Sequence, residues 1–336
     1  MTARFPRLAF LAAVVLGLCG TSRAAPPGEE TVRLVFVGDI MLDRVPGQTM
    51  AKGLDPFAAC ADLLEDADLT VGNLECVVAT TGARVVKPYN FRCNPRALPY
   101  LSRYFNAVSL ANNHTGDFGP DGLTEMFDRL DKAEIHYYGA GRNRREAHAP
   151  LILERKGVRV ALLGYNEFRP RAFEAGPTTP GVAWSVDERV VADIKGLRAS
   201  GKADLILTFM HWGLEYQPQP SARQKALART MIDADVVIGG HPHVTEGAES
   251  YRGKLIVYSL GNFVFDDFKD NPPALDEACR TSWLLRLTMN KTGLVRWETV
   301  VTRTGDDGFP RVVPGAKGPR GEAGSNEITA AENLRP

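Results

Sequence analysis

The sequence predicts an α/β fold in which helices cover a β-sheet. Short apolar segments suited to strands, such as residues 158–163 and 255–260, alternate with amphipathic helical patterns. The clearest helical pattern has apolar residues at helical spacing over residues 123–130, and Ser221 opens another. A chain of 336 residues is long enough for one large domain, which we expect at residues 31–303.

The remaining segments complete this expectation. Residues 283–289 and 294–301 resemble a closing hairpin with its turn at 290–293. Residues 166–181 are rich in Pro, Gly and charge, and predict a long loop near the functional site. From residue 304 to 336 the composition turns to Gly, Pro and charge with few aromatics, which predicts a disordered tail.

Five strand-like segments run directly into side chains that can bind metal. Ligands of open α/β sheets bind beyond the carboxyl ends of the strands, so these endings can converge on one site. The candidate ligands are Asp39, Glu75, Asn113, His211, His241 and His243, and His114 beside Asn113 is the candidate catalytic acid or base.

His241 and His243 leave an apolar strand at the glycine pair 239–240. In an extended segment, side chains two residues apart point to opposite sides. These two imidazoles can therefore bind two neighbouring ions, or one ion and a substrate oxygen. The alternative is a solvated turn that happens to contain histidine.

The other endings are weaker evidence when taken singly. A lone histidine such as His211 is more often structural, and Asp39 or Glu75 could be a helix cap or a surface residue. In the Asn-rich turn, hydrogen bonding to local backbone suits Asn112 better than Asn113. Together they offer His, Asn and carboxylate donors without a thiolate, which suits one or two divalent ions of Mn, Zn or Fe.

Three further residues lie beside the candidate site in the sequence. Arg44 and Arg92 could bind carboxylate or phosphate through two parallel hydrogen bonds, and Trp212 follows His211 directly. We consider all three as substrate-binding candidates. The alternative is that each has a surface or structural role.

The motifs together resemble the CapA family of capsule or poly-γ-glutamate biosynthesis proteins. The resemblance runs in order over about residues 32–268 and rests on Gly-Asp-Ile-Met-Leu (38–42), Gly-Asn-Leu-Glu (72–75), Ser-Leu-Ala-Asn-Asn-His (109–114), His-Trp-Gly (211–213), Gly-His-Pro-His (240–243) and Ser-Leu-Gly-Asn-Phe (259–263).

The resemblance implies the fold of calcineurin-like metallophosphoesterases, a layered sandwich of two mixed β-sheets flanked by helices. It implies that Asp39 and His243 bind a first ion, that His211 and His241 bind a second, and that Glu75 bridges them. Asn113 would be a further ligand and His114 the catalytic residue. The sequence departs from the phosphoesterase pattern at Met41, where that pattern has a histidine, and a thioether is a poor ligand for such ions.

Residues 1–24 resemble a secretory signal peptide, with Arg4 and Arg7 before an apolar run and Ser-Arg-Ala at 22–24 as a cleavage site. The protein is therefore expected to be exported, periplasmic or extracellular, or anchored to the membrane if the leader stays uncleaved. Loss of the leader removes arginines and no acid, which leaves a slightly acidic chain. We expect no nucleic-acid partner, because such proteins usually carry a basic patch.

Four cysteines follow the leader, and export favours disulfides. We predict a Cys76–Cys93 bond, because these residues bracket a polar loop beside Glu75, and a Cys60–Cys279 bond by elimination. The alternative is four buried free thiols.

Three functions remain open at this stage. The first is an exported CapA-type protein that makes, transports or trims an anionic polymer such as poly-γ-glutamate. The second is a general metal-dependent phosphoesterase in which His114 protonates the leaving oxygen. The third is a non-catalytic scaffold, stiffened by metal, that binds polymer or membrane synthase components, and Met41 is the best evidence for it.

Overall fold

The computed structural model of the chain describes residues 30–266, 271–322 and 328–330. The strands are β1 Val32–Ile40, β2 Leu69–Leu74, β3 Val77–Val78, β4 Arg92–Cys93, β5 Ala107–Ser109, β6 His136–Tyr138, β7 Ala140–Gly141, β8 Leu151–Arg155, β9 Val158–Asn166, β10 Gly181–Val182, β11 Leu205–His211, β12 Val236–Gly240, β13 Thr245–Tyr251, β14 Lys254–Leu260, β15 Asn262–Val264, β16 Thr281–Asn290, β17 Gly293–Thr304 and β18 Pro310–Glu322. The helices are α1 Arg44–Met50, α2 Ala61–Glu65, α3 Leu98–Tyr104, α4 Gly119–Lys132, α5 Arg144–Ala147, α6 Asp187–Ser200, α7 Ala222–Thr230 and α8 Pro273–Arg280.

Two large mixed sheets form the centre of the fold. The first has the order β18-β17-β16-β1-β2-β5-β6, with β15 also paired to β1, and the second has the order β13-β14-β12-β11-β9-β8. Strands β1, β2, β5 and β6 run parallel, as do β9, β11, β12 and β14, whereas the other pairings within these orders are antiparallel.

The two sheets pack face to face over an apolar core. Along β1, Leu34 and Phe36 contact this core, where they join Leu207 of β11 and Ile238 of β12. Their neighbour Val35 belongs to a second cluster with α3 and α4, because successive side chains of a strand alternate between faces. A third cluster packs α6 and α7 against the second sheet. This arrangement confirms the predicted sandwich of two mixed sheets flanked by helices.

Several predicted elements are observed. Helix α4 covers the pattern at 123–130, and strands β16 and β17 form the predicted hairpin. Helix α7 begins after Ser221, whose Oγ accepts a hydrogen bond from the backbone of Gln224 at 3.2 Å, while the Gln224 side chain accepts from the backbone of Ser221 at 2.8 Å. This reciprocal cap satisfies backbone donors that would otherwise be unpaired at the helix start.

The prediction of a disordered tail from residue 304 is wrong for residues 304–322. Strand β18 pairs antiparallel with β17, and its register shifts at two points. The segment is rich in Pro and Gly, but an edge strand needs only one row of backbone hydrogen bonds and tolerates Pro. The folded domain therefore extends beyond residue 303. The rest of the predicted tail lies outside the described residues, apart from residues 328–330, where Thr329 pairs with Arg320.

The structure also corrects the disulfide prediction, because all four cysteines are buried free thiols. Cys76 lies beside Cys93, and this thiol together with burial raises the pKa of Cys93 well above its ordinary value. Cys60 instead contacts the carbonyl of Pro310 at 3.8 Å, and Asn271 contacts the Cys279 sulfur at 3.9 Å. Each thiol is therefore packed in the protein interior, which is the alternative that the sequence left open.

The predicted leader, residues 1–24, lies outside the described residues. Within the part of the chain that the structure describes, helices fall short of the length and apolar character needed to span a bilayer.

Candidate metal centre

The predicted strand endings converge on one buried centre. His211 Nε2 lies 3.5 Å from Glu75 Oε1, and His114 Nε2 lies 3.9 Å from the same oxygen. His243 Nδ1 lies 3.7 Å from Asp39 Oδ2. The two sheets thus bring together residues that are far apart in the sequence, as the carboxyl-end argument predicts.

The donor atoms form groups that could each hold an ion. Glu75, His211 and His241 offer one group, and Asp39, Glu75 and His243 offer another, with the ligand atoms of each group within 4.8 Å of one another. Glu75 belongs to both groups. This geometry agrees with the division of ligands that the family resemblance implies, in which Glu75 bridges two ions.

The centre contains buried polar atoms that have no protein partner. Both carboxylate oxygens of Glu75 and both ring nitrogens of His241 lack hydrogen-bond partners within the described ranges, although each side chain is fully buried. Leaving such groups unpaired is costly, and native proteins rarely do so without a ligand or ion. Nitrogen and carboxylate donors without a thiolate fit Mn, Zn or Fe(II), so the residues present fit one or two divalent ions.

Burial shifts the pKa values of these groups in the directions expected when no cation offsets their buried charge. Burial, and next the charge of Asp39, raises the pKa of Glu75 well above its ordinary value. Burial likewise raises the pKa of Asp39 and lowers that of His211 and His241, the last two also through neighbouring imidazoles. A bound cation would favour the ionised carboxylates and the neutral imidazoles, which are the forms that bind metal.

Backbone and amide groups hold the ligands in position. Asp39 accepts from Asn73 Nδ2 at 2.8 Å and from the backbone of His241 at 3.1 Å. Gly240 permits this approach, because a Cβ at that position would lie 2.7 Å from Asp39 Oδ1. His211 contacts Asn113 Oδ1 through Nε2 at 2.8 Å. The Asn113 side-chain oxygen and the His211 ring therefore lie next to each other in the centre.

His114 is held differently from the ligands, within a charged hydrogen-bond network. Its Nδ1 lies 2.7 Å from Asp117 Oδ2, and Lys87 Nζ lies 2.5 Å from the other oxygen of Asp117. Lys87 also donates to the backbone carbonyl of Asn113 at 2.6 Å. Burial lowers the pKa of His114 to about 4, despite the opposing effect of Asp117. The neutral ring donates Nδ1–H to Asp117 and directs its Nε2 lone pair towards Glu75.

Met41 and Asn112 have structural roles. Met41 is fully buried in the apolar cluster beneath α3 and α4, and its sulfur accepts the backbone N–H of Asp43 at 3.2 Å. The side chain of Asn112 bonds to Asn73, to the carbonyl of Leu74 and to the backbone of His114. The bond from Asn112 to the backbone of His114 agrees with the sequence analysis, which expected this side chain to bond to local backbone.

The three substrate-binding candidates lie in different surroundings. Arg44 lines a cleft of about 150 Å³ that opens onto His114 and His243, and its Nε lies 3.8 Å from Asp266. Arg92 does not line this cleft; its guanidinium lies 3.7 Å from the ring centre of Phe118 and donates to the carbonyl of Gly82. Trp212 is fully buried in the cluster behind the second sheet and donates to the carbonyl of Tyr258, so it cannot touch a substrate.

Several residues of the centre were missed by sequence reasoning. Lys87 and Asp117 have no sequence signal beyond their position in polar loops. Asn73 and Asn262 lie within the quoted motifs but were given no role, although Asn262 contacts His243 Nδ1 at 2.9 Å. Phe168, in the predicted long loop, lies against the His241 ring with centroids 3.8 Å apart, so that loop does border the site.

The sequence profile of the family described as "Bacterial capsule synthesis protein PGA_cap" matches residues 33–267. The chain is 32% identical over 290 residues to the PGA biosynthesis protein CapA of Bacillus subtilis (strain 168), a match that covers 84% of this chain and 74% of that relative. It is also 32% identical over 252 residues to the capsule biosynthesis protein CapA of Bacillus anthracis, with coverage of 70% and 60%.

Solved structures share the architecture at low sequence identity. A hypothetical protein from Thermus thermophilus has a TM-score of 0.51 at 16% identity, over 80% of this chain and 98% of that one. A 5'-nucleotidase precursor from the same organism has a TM-score of 0.51 at 15% identity, over 84% and 55%. These likenesses concern the fold, which is that of the calcineurin-like phosphoesterases. From the match over residues 33–267 and the CapA relatives, the chain belongs to the bacterial capsule synthesis family PGA_cap.

Proposed function

We propose that this protein is exported and acts on an anionic capsular polymer of the poly-γ-glutamate type, through a metal-dependent hydrolase-like site. Membership of the capsule synthesis family supports the polymer class, and two relatives are named for PGA or capsule biosynthesis. The polymer and membrane synthase components are the partners that this role requires. Export rests on the leader-like residues 1–24.

The observation that carries the proposal is the buried cluster around Glu75 and His241. A carboxylate and an imidazole that are buried without partners lower stability, which indicates that a cation belongs between them. A divalent ion bound at this site would offset that cost. When bound, one or two such ions would polarise the bond to be broken and stabilise negative charge on its oxygens.

The residues of the chain would handle the proton. His114 Nε2 faces the centre, while Asp117 holds the ring through Nδ1 and Lys87 fixes Asp117. Because the ring is neutral, it would accept a proton at Nε2 from the water that attacks the bond and then donate that proton to the leaving group. The predicted role of His114 as an acid therefore follows its role as a base within one cycle.

The shape of the cleft limits what can bind. At about 150 Å³ it is smaller than ordinary pockets for drug-sized ligands, so it suits one unit of an extended chain. Its charged lining residues are Arg44, Glu215 and Asp266, in addition to two histidines. The acids would repel a polyanion, so binding of such a polymer needs the positive charge of the ions.

The test is the metal content of the purified protein, measured by plasma mass spectrometry after incubation with Mn²⁺ or Zn²⁺. We expect close to two ions per chain and fewer in His241→Ala. Complementation of a deletion strain by His241→Ala should then fail to restore the amount or length of surface polymer. A wild-type protein that takes up no metal contradicts the proposal, and cell fractionation that finds the full chain in the cytoplasm contradicts its export.

A general phosphoesterase is the second candidate, and the fold shared with a 5'-nucleotidase precursor favours it. Turnover of simple phosphomonoesters or phosphodiesters by the Mn-loaded protein, with surface polymer unchanged in the deletion strain, would establish it in place of the polymer role.

A further inference from the structure

Glu215 is an acidic residue at the centre that none of the five strand endings includes. It lies on the loop after β11, four residues beyond His211, and its side chain is exposed at the cleft. One of its carboxylate oxygens and one ring nitrogen from each of His241 and His243 lie within 4.8 Å of one another. These three donors form a further group that could hold a cation.

A hydrogen bond fixes the Glu215 loop against the turn that carries both histidines. The backbone N–H of Tyr216 donates to the carbonyl of Pro242 at 2.8 Å. Tyr216, His241 and His243 all have positive φ values, of 66°, 94° and 60°. Such conformations are unfavourable for non-glycine residues and persist mainly where surrounding structure and function require them.

Two independent observations indicate that a cation belongs among these residues. His241 is fully buried, yet neither ring nitrogen has a hydrogen-bond partner in the described part of the chain. The second observation is geometric: His243 belongs both to this group and to the group with Asp39 and Glu75, so each of the three carboxylates has an oxygen within 4.8 Å of a ring nitrogen of His243. Acids gathered around one imidazole repel one another unless a cation compensates their charge.

We propose that Glu215 is a ligand of the metal centre and binds, together with His243, the divalent cation assigned to Asp39 and His243, with the ring of His241 close beside it. The proposal rests on the proposed metal-dependent function and adds a ligand to it. It explains how the centre can tolerate Met41: the ligand missing from the first strand ending is supplied by a carboxylate from the loop after β11. Carboxylate oxygen and imidazole nitrogen are both suitable ligands for Mn and Zn.

Binding of Mn²⁺ by the metal-free protein, measured by isothermal titration calorimetry, tests this role. Glu215→Gln should raise the Kd for Mn²⁺ at least ~10-fold, because removal even of groups that only support a ligand costs about 10- to 100-fold. Glu215→His replaces one ligand type by another and should stay within a few-fold of wild type. Glu188→Gln, an exposed glutamate on α6, is the matched control and should bind as wild type does.

The outcomes separate this inference from the proposed function. Wild-type protein that binds no Mn²⁺ overturns both. Wild-type binding together with equally tight binding by Glu215→Gln overturns the ligand role alone. Equal weakening in Glu215→Gln and Glu215→His also overturns it, because the carboxylate would then act only through its charge. Glu215 is exposed, so circular dichroism should show all variants folded.

Discussion

The Asn-His loop (residues 112–117) and the His-Pro-His turn (residues 241–243) face the same centre but hold their imidazoles in different ways. His114 in the loop is tied to Asp117 and, through it, to Lys87. The ring of His241 in the turn contacts the rings of Phe168, His211 and His243, and neither of its nitrogens has a hydrogen-bond partner among the described residues. An oriented, hydrogen-bonded imidazole suits proton transfer, whereas ring nitrogens without a protein partner are available to bind a metal.

The largest expected effect is on the loop side. We expect His114→Ala to lower the activity of the metal-loaded protein by a factor of ~10²–10⁴, the usual contribution of a general acid or base, and to leave the metal content near that of wild type. Polymer length in a complemented deletion strain and plasma mass spectrometry measure the two. His136→Ala, on an exposed position of β6, is the control. Full activity of His114→Ala would contradict the proton-transfer role of this imidazole and favour the non-catalytic scaffold.

On the ligand side, Glu75→Gln should weaken Mn²⁺ binding at least ~100-fold, since it removes the carboxylate shared by both candidate ion groups. The metal-free variant should at the same time melt a few degrees higher at pH 8, with a free energy of unfolding roughly 1–2 kcal/mol above wild type, because Gln lacks the ionisable group whose raised pKa favours the unfolded state at that pH. Calorimetry measures binding and melting, with Glu188→Gln as control. A lower melting temperature of the metal-free variant would count against a site built for a cation.

The network around His114 should also support stability. Lys87→Met leaves Asp117 buried without its ion partner, and we expect the free energy of unfolding to fall by about 2 kcal/mol in urea titrations. Lys156→Met removes an ion pair with Asp68 whose lysine is 49% exposed, and should cost less than ~1 kcal/mol. Equal costs for both variants would mean that the Lys87 pair behaves as an ordinary surface pair.

The smallest effect concerns Glu246, a buried acid just beyond the His-Pro-His turn that the centre does not use. Burial raises its pKa to about 7, against the opposing effects of a hydrogen bond from Gln224 at 2.6 Å and the charge of Lys225. The folded state therefore keeps the proton to higher pH than the unfolded state, so stability is full below about pH 4.5 and falls as pH rises to 7.

Glu246→Gln should remove this loss. We expect the variant to exceed wild type in free energy of unfolding by about 1–2 kcal/mol at pH 8 and to match it at pH 4. Urea unfolding at the two pH values checks this, with Glu188→Gln as control. A difference of the same size at both pH values would show that packing, and not ionisation, causes it.

Local patterns could predict the alternation of strands and helices and the convergence of the strand endings, whereas the sandwich of two sheets followed from the family resemblance. Apolar strands that end in Asp39, Glu75, His211 and His241 are visible along the chain, and the carboxyl-end rule brings them together. Lys87 and Glu215 could not be found in this way, because their roles depend on how two loops fold back towards the centre. Arg92 and Trp212 were misjudged because proximity in sequence does not show which face a side chain takes.

The prediction of a disordered tail was wrong for a different reason. Composition measures how much apolar surface a segment can bury, but β18 is held mainly by backbone pairing with β17. The disulfide prediction was wrong because an even number of cysteines, and a loop between two of them, do not establish whether the thiols are oxidised.

Strand β18 also covers an edge of the first sheet that could otherwise pair with strands of other protein molecules. A chain shortened at residue 303 would leave one edge of β17 with unpaired N–H and C=O groups along a strand of 12 residues. It would also uncover part of the core around Trp297 and Val301. Open edges of this kind recruit strands from other molecules, so the shortened chain would aggregate. Strand β18 thus replaces a long regular edge with one whose prolines and register shifts disfavour further pairing, a role far from the metal centre.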